Sequence, residues 1–244
     1  MTHAPCPRVI FVRHGQTEWS KSGQYTSITD LPLTDFGVKQ MRNTGKHLIG
    51  TSPFQLIKPK NLKHIITSPR LRAKQTAELL LESISEQDKA HINIREEDEI
   101  REWEYGDYEG LLTSQIIELR KSRGLDTHLE GDDVWNIWRD GCENGEVHSQ
   151  VKERVDSVIA KIKVDHKKAL ENNEACDTIV IAHGHILRCF AARWVGRELN
   201  RNPDFLLDAG GVGVLSYGHR NINEPALYLA GAFVVPVEEQ SADL

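Results

Sequence analysis

The chain has 244 residues, of which 39% are hydrophobic and 27% charged; this suits one α/β domain with a sizeable core and excludes collagen-like, low-complexity and largely disordered chains. Thirty Lys and Arg against 36 Asp and Glu give a net charge of −6, which leaves no general footprint for nucleic acid or an anionic membrane, so any bound anion needs a local concentration of positive charge. The early apolar run at residues 9–12 is too short for a signal peptide or a spanning helix, and Cys6, Cys142, Cys176 and Cys189 show no CxxC spacing, so reduced thiols and a cytoplasmic location are expected, with the nucleus also open.

Residues 1–7 read as a loose arm. Residues 9–12 are a continuous apolar run of the kind found in a buried strand. Residues 16–33 are too rich in Gly, Ser, Thr and Asp for regular structure. Thr34 can cap a helix to about Leu48, with Gly50 past its end. Residues 64–66 predict a second strand. Thr67 or Ser68 can cap the next helix, with Pro69 in its first turn and Ala73, Ala77, Leu80 and Leu81 on its apolar face. Ile92 and Ile94 alternate with polar residues as a third strand would. Residues 101–110 read as loop and 112–121 as a short helix. After Asn144, the valines 147, 151, 155 and 158 with Ile162 recur at helical spacing. Residues 178–182 predict a buried strand, followed by a helix to about Trp194. Residues 212–217 and 228–235 predict two late strands, and residues 238–244 look frayed. Strands alternating with helices imply a mostly parallel sheet covered on both faces.

Ligands of such sheets bind beyond the carboxyl ends of the strands. Three polar clusters fall there: Arg13-His14-Gly15, Ser68-Pro69-Arg70-Leu71-Arg72, and His183-Gly184-His185. Any one alone could be a solvated strand end. A buried strand gains nothing in stability by ending in Arg-His, so the three together mark a site.

With these clusters the chain resembles the histidine phosphatase superfamily, which includes phosphoglycerate mutases and many phosphatases. The resemblance rests on four ordered blocks: Arg13-His14-Gly15-Gln16-Thr17-Glu18-Trp19, the segment from Ser68 to Thr76, the segment from Glu102 to Gly110, and Ala182-His183-Gly184-His185. Residues 20–26, 135–146 and 207–211 resemble its fungal sedoheptulose-1,7-bisphosphatase branch. The stretch between His183 and Phe205 is shorter here than in that branch, which bears on the sugar and not on the core chemistry. The resemblance implies a single domain over residues 1–244, folded as a three-layer α/β sandwich with a mostly parallel central sheet. It implies a metal-independent phosphatase that hydrolyses a sugar bisphosphate through a phosphohistidine, with no required cofactor. A phosphorylated sugar is the expected partner, and a homo-oligomer is open.

Phosphate monoesters resist hydrolysis, and their transfer depends on positioning and charge neutralisation. By the resemblance His14 is the nucleophile; a neutral imidazole does not repel phosphate electrostatically, and its second ring nitrogen should be held by a backbone carbonyl. Arg13 and Arg70 are forked cations matched to phosphate oxygens, and a protonated His183 completes the pocket. Arg72 could equally join them or serve as a surface ion-pair partner. Glu102 takes the place of the family's proton donor, a role that asks it to hold a proton when substrate is bound; Glu104 and Glu109 compete for it. Substrate contacts are expected from Gln24, Tyr25 and Thr26 on the loop after the nucleophile, from Trp103, Glu104 and Tyr105, and from Gly184. Arg188 and His219 are candidates for a second phosphate. Trp135, Trp138 and Trp194 are expected to pack. Three alternatives stand beside this. His183 and His185 could share a metal, but zinc sites use at least three protein ligands. A phosphoglycerate mutase would use the same core residues. A non-catalytic binding module would be expected to lack one of them.

Overall fold

A computed structural model describes residues 4–127 and 133–229. Among the described residues six strands form one sheet in the order β3-β2-β4-β1-β5-β6: β1 (Arg8–Arg13), β2 (Leu62–Thr67), β3 (Asn93–Glu96), β4 (Asp177–Ala182), β5 (Val212–Tyr217) and β6 (Pro225–Leu227). The first four are mutually parallel, whereas β5 runs antiparallel to β1 and β6 antiparallel to β5. Beside them lie α1 (Glu18–Ser22), α2 (Asp35–Leu48), α3 (Leu71–Leu81), α4 (Glu86–Lys89), α5 (Thr113–Ser122), α6 (Ile137–Asp140), α7 (His148–Glu171) and α8 (Gly184–Trp194).

Successive side chains of a strand point to opposite faces, and the core divides accordingly. Val9, Phe11, Val180 and Ala182 pack with the buried faces of α7 and α8. Ile10, Val12, Ile179 and Ile181 pack with those of α2 and α3 on the other side. The result is the three-layer sandwich expected from the sequence. β4 is buried along its whole length, as a central parallel strand must be, while β3 at the edge leaves Ile94 half exposed.

Several local expectations change. The segment 16–33 holds one helical turn, α1, because Thr17 and Ser20 form a reciprocal capping box and Gly23 closes the turn in the left-handed region at φ 87°. Neither Thr67 nor Ser68 caps α3, and Pro69 stays outside it. The helix begins at Leu71, whose N–H donates to the Asp30 carboxylate at 2.7 Å, while the Ser68 hydroxyl turns to His183. Val147 stands at the cap of α7, 39% exposed, so the apolar stripe starts at Val151. The last strand among the described residues is at Pro225–Leu227; of the expected 228–235, residues 228 and 229 are not strand and the remainder lies outside the described residues, as do residues 238–244. The described part of the N-terminal arm is tied down: the Ala4 N–H donates to Asn173 and the Pro7 carbonyl accepts from Ser216. The four cysteines are free thiols. No helix among the described residues is long and apolar enough to cross a membrane.

Candidate active site

Strand register builds the site. β1 and β4 pair in parallel with Arg13 beside Ala182, so the next residues, His14 and His183, emerge at the same height. β2 pairs with the other side of β4, with Thr67 beside Ile181, so Ser68 arrives there too. The two imidazoles lie 5.1 Å apart between centroids, edge to face. The three polar clusters thus converge on one end of the sheet.

His14 is buried, and its Nδ1 lies 2.8 Å from the Gly15 carbonyl oxygen. A carbonyl can only accept, so Nδ1 carries the proton and Nε2 keeps its lone pair. Burial, then the charges of Arg72 and Arg13, hold the imidazole well below its ordinary pKa and therefore neutral. The backbone here has no spare room. A Cβ on Gly15 would lie 2.7 Å from Met41 Cγ and 2.8 Å from the Gly37 carbonyl oxygen, so glycine lets α2 pack against the nucleophile's own turn.

His183 is not protonated as expected. Its Nδ1 accepts from the Arg72 guanidinium at 3.1 Å, and its Nε2 then donates to Ser68 Oγ at 2.7 Å. Burial and the charge of Arg72 hold it well below the ordinary histidine value. Arg72 is not a surface residue. It is fully buried, and besides His183 it donates to the carbonyls of Thr26, Ser27 and Thr29, stapling the loop after α1 over the site. The same loop is held from below by Glu109, which accepts from the N–H groups of Ser27 and Thr29. Arg70 stands half-buried at the cap of α3, does not line the cleft, and leaves its Nε without a partner among the described residues; its charge is felt at His183 but ranks behind that of Arg72. Neither arginine of the cluster lines the cleft; Arg72 is favoured because it bonds His183 directly and its charge weighs first among the charges acting on both His14 and His183.

Glu102 is buried in the loop after β3. Its Oε1 accepts from the N–H groups of Trp103 and Ile186, and its Oε2 from that of His185, so the carboxylate sits on the open amino end of α8. Arg154 of α7 fixes this loop through the carbonyls of Glu99, Arg101 and Glu102 and a two-pronged bond to Glu146.

The site opens into a cleft of about 450 Å³ whose lining includes Arg13, His14, Gln24, Tyr25, Thr26, Glu102, Tyr105, Gly184 and Arg188. Arg13 is anchored by one terminal nitrogen on the Leu207 carbonyl at 2.7 Å. Arg188 lies over the Trp138 ring at 5.0 Å and rests its Nε on the Gly184 carbonyl at 3.3 Å; its terminal nitrogens carry no hydrogen bond among the described residues. Three expected contacts are elsewhere. Trp103 is fully buried, with its indole N–H on the Glu146 carbonyl. Glu104 points to Arg101 and away from the cleft. His219 follows β5, which runs antiparallel, so it emerges at the opposite end of the sheet, exposed and bonded to Glu224. Trp135, Trp138 and Trp194 are buried packing residues, as expected.

The His183–His185 pair does not converge on a shared ligand: the His185 Nδ1 lies 2.8 Å from the Tyr105 hydroxyl, in a cage with Tyr25 and Trp138. Among the described residues no group of three His, Cys, Asp or Glu is placed to hold a metal. Sequence reasoning placed His185 in a site cluster with no role beyond the metal alternative, and assigned no contact to Thr17, Ser20, Thr113 or the segment 206–208, all in the lining. That segment precedes β5 and reaches the cleft because β5 is antiparallel, which periodicity cannot show.

The profile of the histidine phosphatase superfamily (branch 1) matches residues 9–227. The chain is 51% identical over 267 aligned residues to the sedoheptulose 1,7-bisphosphatase of Saccharomyces cerevisiae, covering 96% of each chain. It is 29% identical over 187 residues to a 2,3-bisphosphoglycerate-dependent phosphoglycerate mutase of Parvibaculum lavamentivorans, covering 74% of this chain and 76% of that one. Among solved structures, a Mycobacterium tuberculosis open reading frame product superposes with a TM-score of 0.66 at 30% identity, covering 91% of this chain and 95% of that one.

Proposed function

The chain belongs to branch 1 of the histidine phosphatase superfamily, and on that premise we propose that it is a phosphoric monoester hydrolase acting on a sugar bisphosphate of the sedoheptulose type. The observation that carries this is a neutral His14 with Nδ1–H tied to Gly15, lining one cleft with Arg13 and Glu102 and backed by the buried His183, 5.1 Å away, and its partner Arg72.

His14 Nε2 attacks phosphorus while the bond to the sugar oxygen breaks, and the leaving alkoxide takes a proton from Glu102. Water then attacks the phosphohistidine and gives a proton back to Glu102. The N–P bond breaks, and inorganic phosphate leaves. Arg13 stabilises the equatorial oxygens, where such a donor contributes about 3–4 kcal/mol to transition-state stabilisation, and Arg72, whose nitrogens hold three carbonyls and His183, adds its charge from behind the pocket. Arg70 acts at longer range. His183 gives up its Ser68 partner to donate to the phosphoryl group.

The yeast relative's substrate supports a bisphosphate here, and so does Arg188, a second cation in the cleft with unused terminal nitrogens. Gln24, Tyr25, Thr26 and Tyr105 supply hydroxyl and amide partners for a polyol. The reaction as written needs no metal, and we place it in the cytoplasm. The test is phosphate release from sedoheptulose and fructose bisphosphates, their monophosphates and 3-phosphoglycerate, with EDTA throughout and His14→Ala as control. Release is expected to be fastest from a bisphosphate and absent in the variant. Release from monophosphates alone would remove the bisphosphate assignment, and isomerised phosphoglycerate without release would make the protein a mutase.

A further inference from the structure

The cleft contains one acid that the chemistry above does not use. Asp208 lines it, is exposed, and its carboxylate makes no hydrogen bond or ion pair among the described residues. Yet its backbone is held firmly. The Leu207 carbonyl accepts from Arg13, the Gly210 N–H donates to the His14 carbonyl, the Gly211 carbonyl accepts from the Arg13 N–H, and the Ala209 carbonyl accepts from Gln40. Asp208 is therefore placed by the same strand end that places the nucleophile, and its charge is felt at Arg13.

An unpaired carboxylate in a cleft that must take an anion opposes binding, so its presence calls for a compensating role. The other acid in the lining among the described residues, Glu102, spends its oxygens on three backbone N–H groups. Asp208 is left as the strong acceptor open to a substrate hydroxyl. The same charge repels a substrate whose chain carries a carboxylate.

We infer that Asp208 sets the substrate class of this site, accepting hydroxyl groups of a polyol phosphate and turning away phosphoesters that carry a carboxylate. This deepens the proposed function and rests on it. The side chain touches substrate and takes no part in bond making or breaking. A site built to pair a substrate hydroxyl discriminates more sharply than one that merely has room for it.

The test is Asp208→Asn, which keeps the shape and removes the charge. Wild type and variant are compared in kcat/KM on a sugar bisphosphate, on 3-phosphoglycerate and on p-nitrophenyl phosphate, with a thermal melt to confirm folding. The sugar-to-phosphoglycerate preference should fall at least tenfold, mainly through a lower KM for phosphoglycerate, and p-nitrophenyl phosphate, which carries neither a sugar hydroxyl nor a carboxylate, reports any change in the phosphoryl step itself. An unchanged preference overturns the inference. So does a parallel change on all three substrates, which would mean that Asp208 acts through Arg13 on the phosphoryl group. If wild type itself favours phosphoglycerate, the proposed function fails along with the inference; if wild type favours the sugar and the variant's preference does not move, only the inference fails.

Discussion

Replacing Arg72 by Lys and, separately, Arg70 by Ala separates two arginines that sit in one short motif. Arg72→Lys keeps the charge and loses the planar fork. The fork makes four hydrogen bonds, to the carbonyls of Thr26, Ser27 and Thr29 and to His183 Nδ1, from a fully buried position. A lysine has a single nitrogen and cannot reach acceptors spread around a guanidinium plane. Losing two such charge-assisted bonds at about 1.5–3 kcal/mol each destabilises the fold by roughly 3–6 kcal/mol. At about 2–4 °C per kcal/mol for a chain of this size, the melting temperature should fall by roughly 6–24 °C. Activity should fall by about 10²–10³ in kcat, the usual effect of losing one transition-state donor, because His183 loses the bond that orients its ring. Arg70→Ala, at the half-buried cap of α3, should stay within tenfold of wild type and within about 1 kcal/mol in stability, because its side chain makes no hydrogen bond among the described residues. Phosphate release and thermal melts on both variants read the outcome. An Arg72→Lys enzyme near wild type beside an inactive Arg70→Ala enzyme would refute the assignment.

Glu102→Gln should slow sugar phosphate hydrolysis by about 10²–10⁴, yet slow p-nitrophenyl phosphate far less, since that leaving group needs no proton; equal losses on both would remove Glu102 as the acid. Arg188→Ala should reduce kcat/KM for a bisphosphate at least tenfold more than for the matching monophosphate, and equal losses would take Arg188 out of the second-phosphate role. Stability should fall with acidity in a defined window. His14, His183 and His185 are depressed well below the ordinary value and His166 to about 3, chiefly by burial, so the native state keeps them neutral while the unfolded chain protonates each near 6.5. Below pH 6.5 the unfolded state binds more protons, and each of these histidines then costs up to about 1.4 kcal/mol per pH unit until its native pKa is reached. Melts should therefore be flat above pH 7 and fall steeply from pH 6.5 to 5; a melting temperature unchanged over that range would mean that these rings are protonated in the native protein.

The parts of the site that lie at strand ends were legible, because a parallel pair fixes the height at which the residues beyond its two strands emerge. His14 and His183 had to meet once β1 and β4 were neighbours, and the clusters could be recognised as one site before any distance was known. Direction was not legible. Apolar runs of β5 and β1 look alike, yet β5 runs the other way, which carries His219 to the far end and brings Asp208 into the cleft. Side-chain facing was equally hidden in the loop after β3, where Glu102, Trp103 and Glu104 are consecutive and only the first reaches the cleft; the difference comes from Arg154 and Glu146 on and before α7, more than 40 positions along the chain. The start of α3 misled for a similar reason. Ser68 has the right chemistry for a cap, but His183 takes its hydroxyl and Asp30 supplies the cap from 41 positions away. Among the arginines, two positions separate a helix cap from a fully buried staple, and composition cannot choose between them.

Formation of a phosphohistidine on His14 tests the central claim most directly. Enzyme mixed with excess sugar bisphosphate and quenched in alkali within milliseconds should carry a phosphoryl group that is acid-labile and alkali-stable, mapped by peptide mass to His14, and formed and lost fast enough to account for turnover. The Glu102→Gln variant should change how much accumulates, and His14→Ala should carry none. Rapid phosphate release with no label on the chain, or a label on any residue other than His14, would contradict the account.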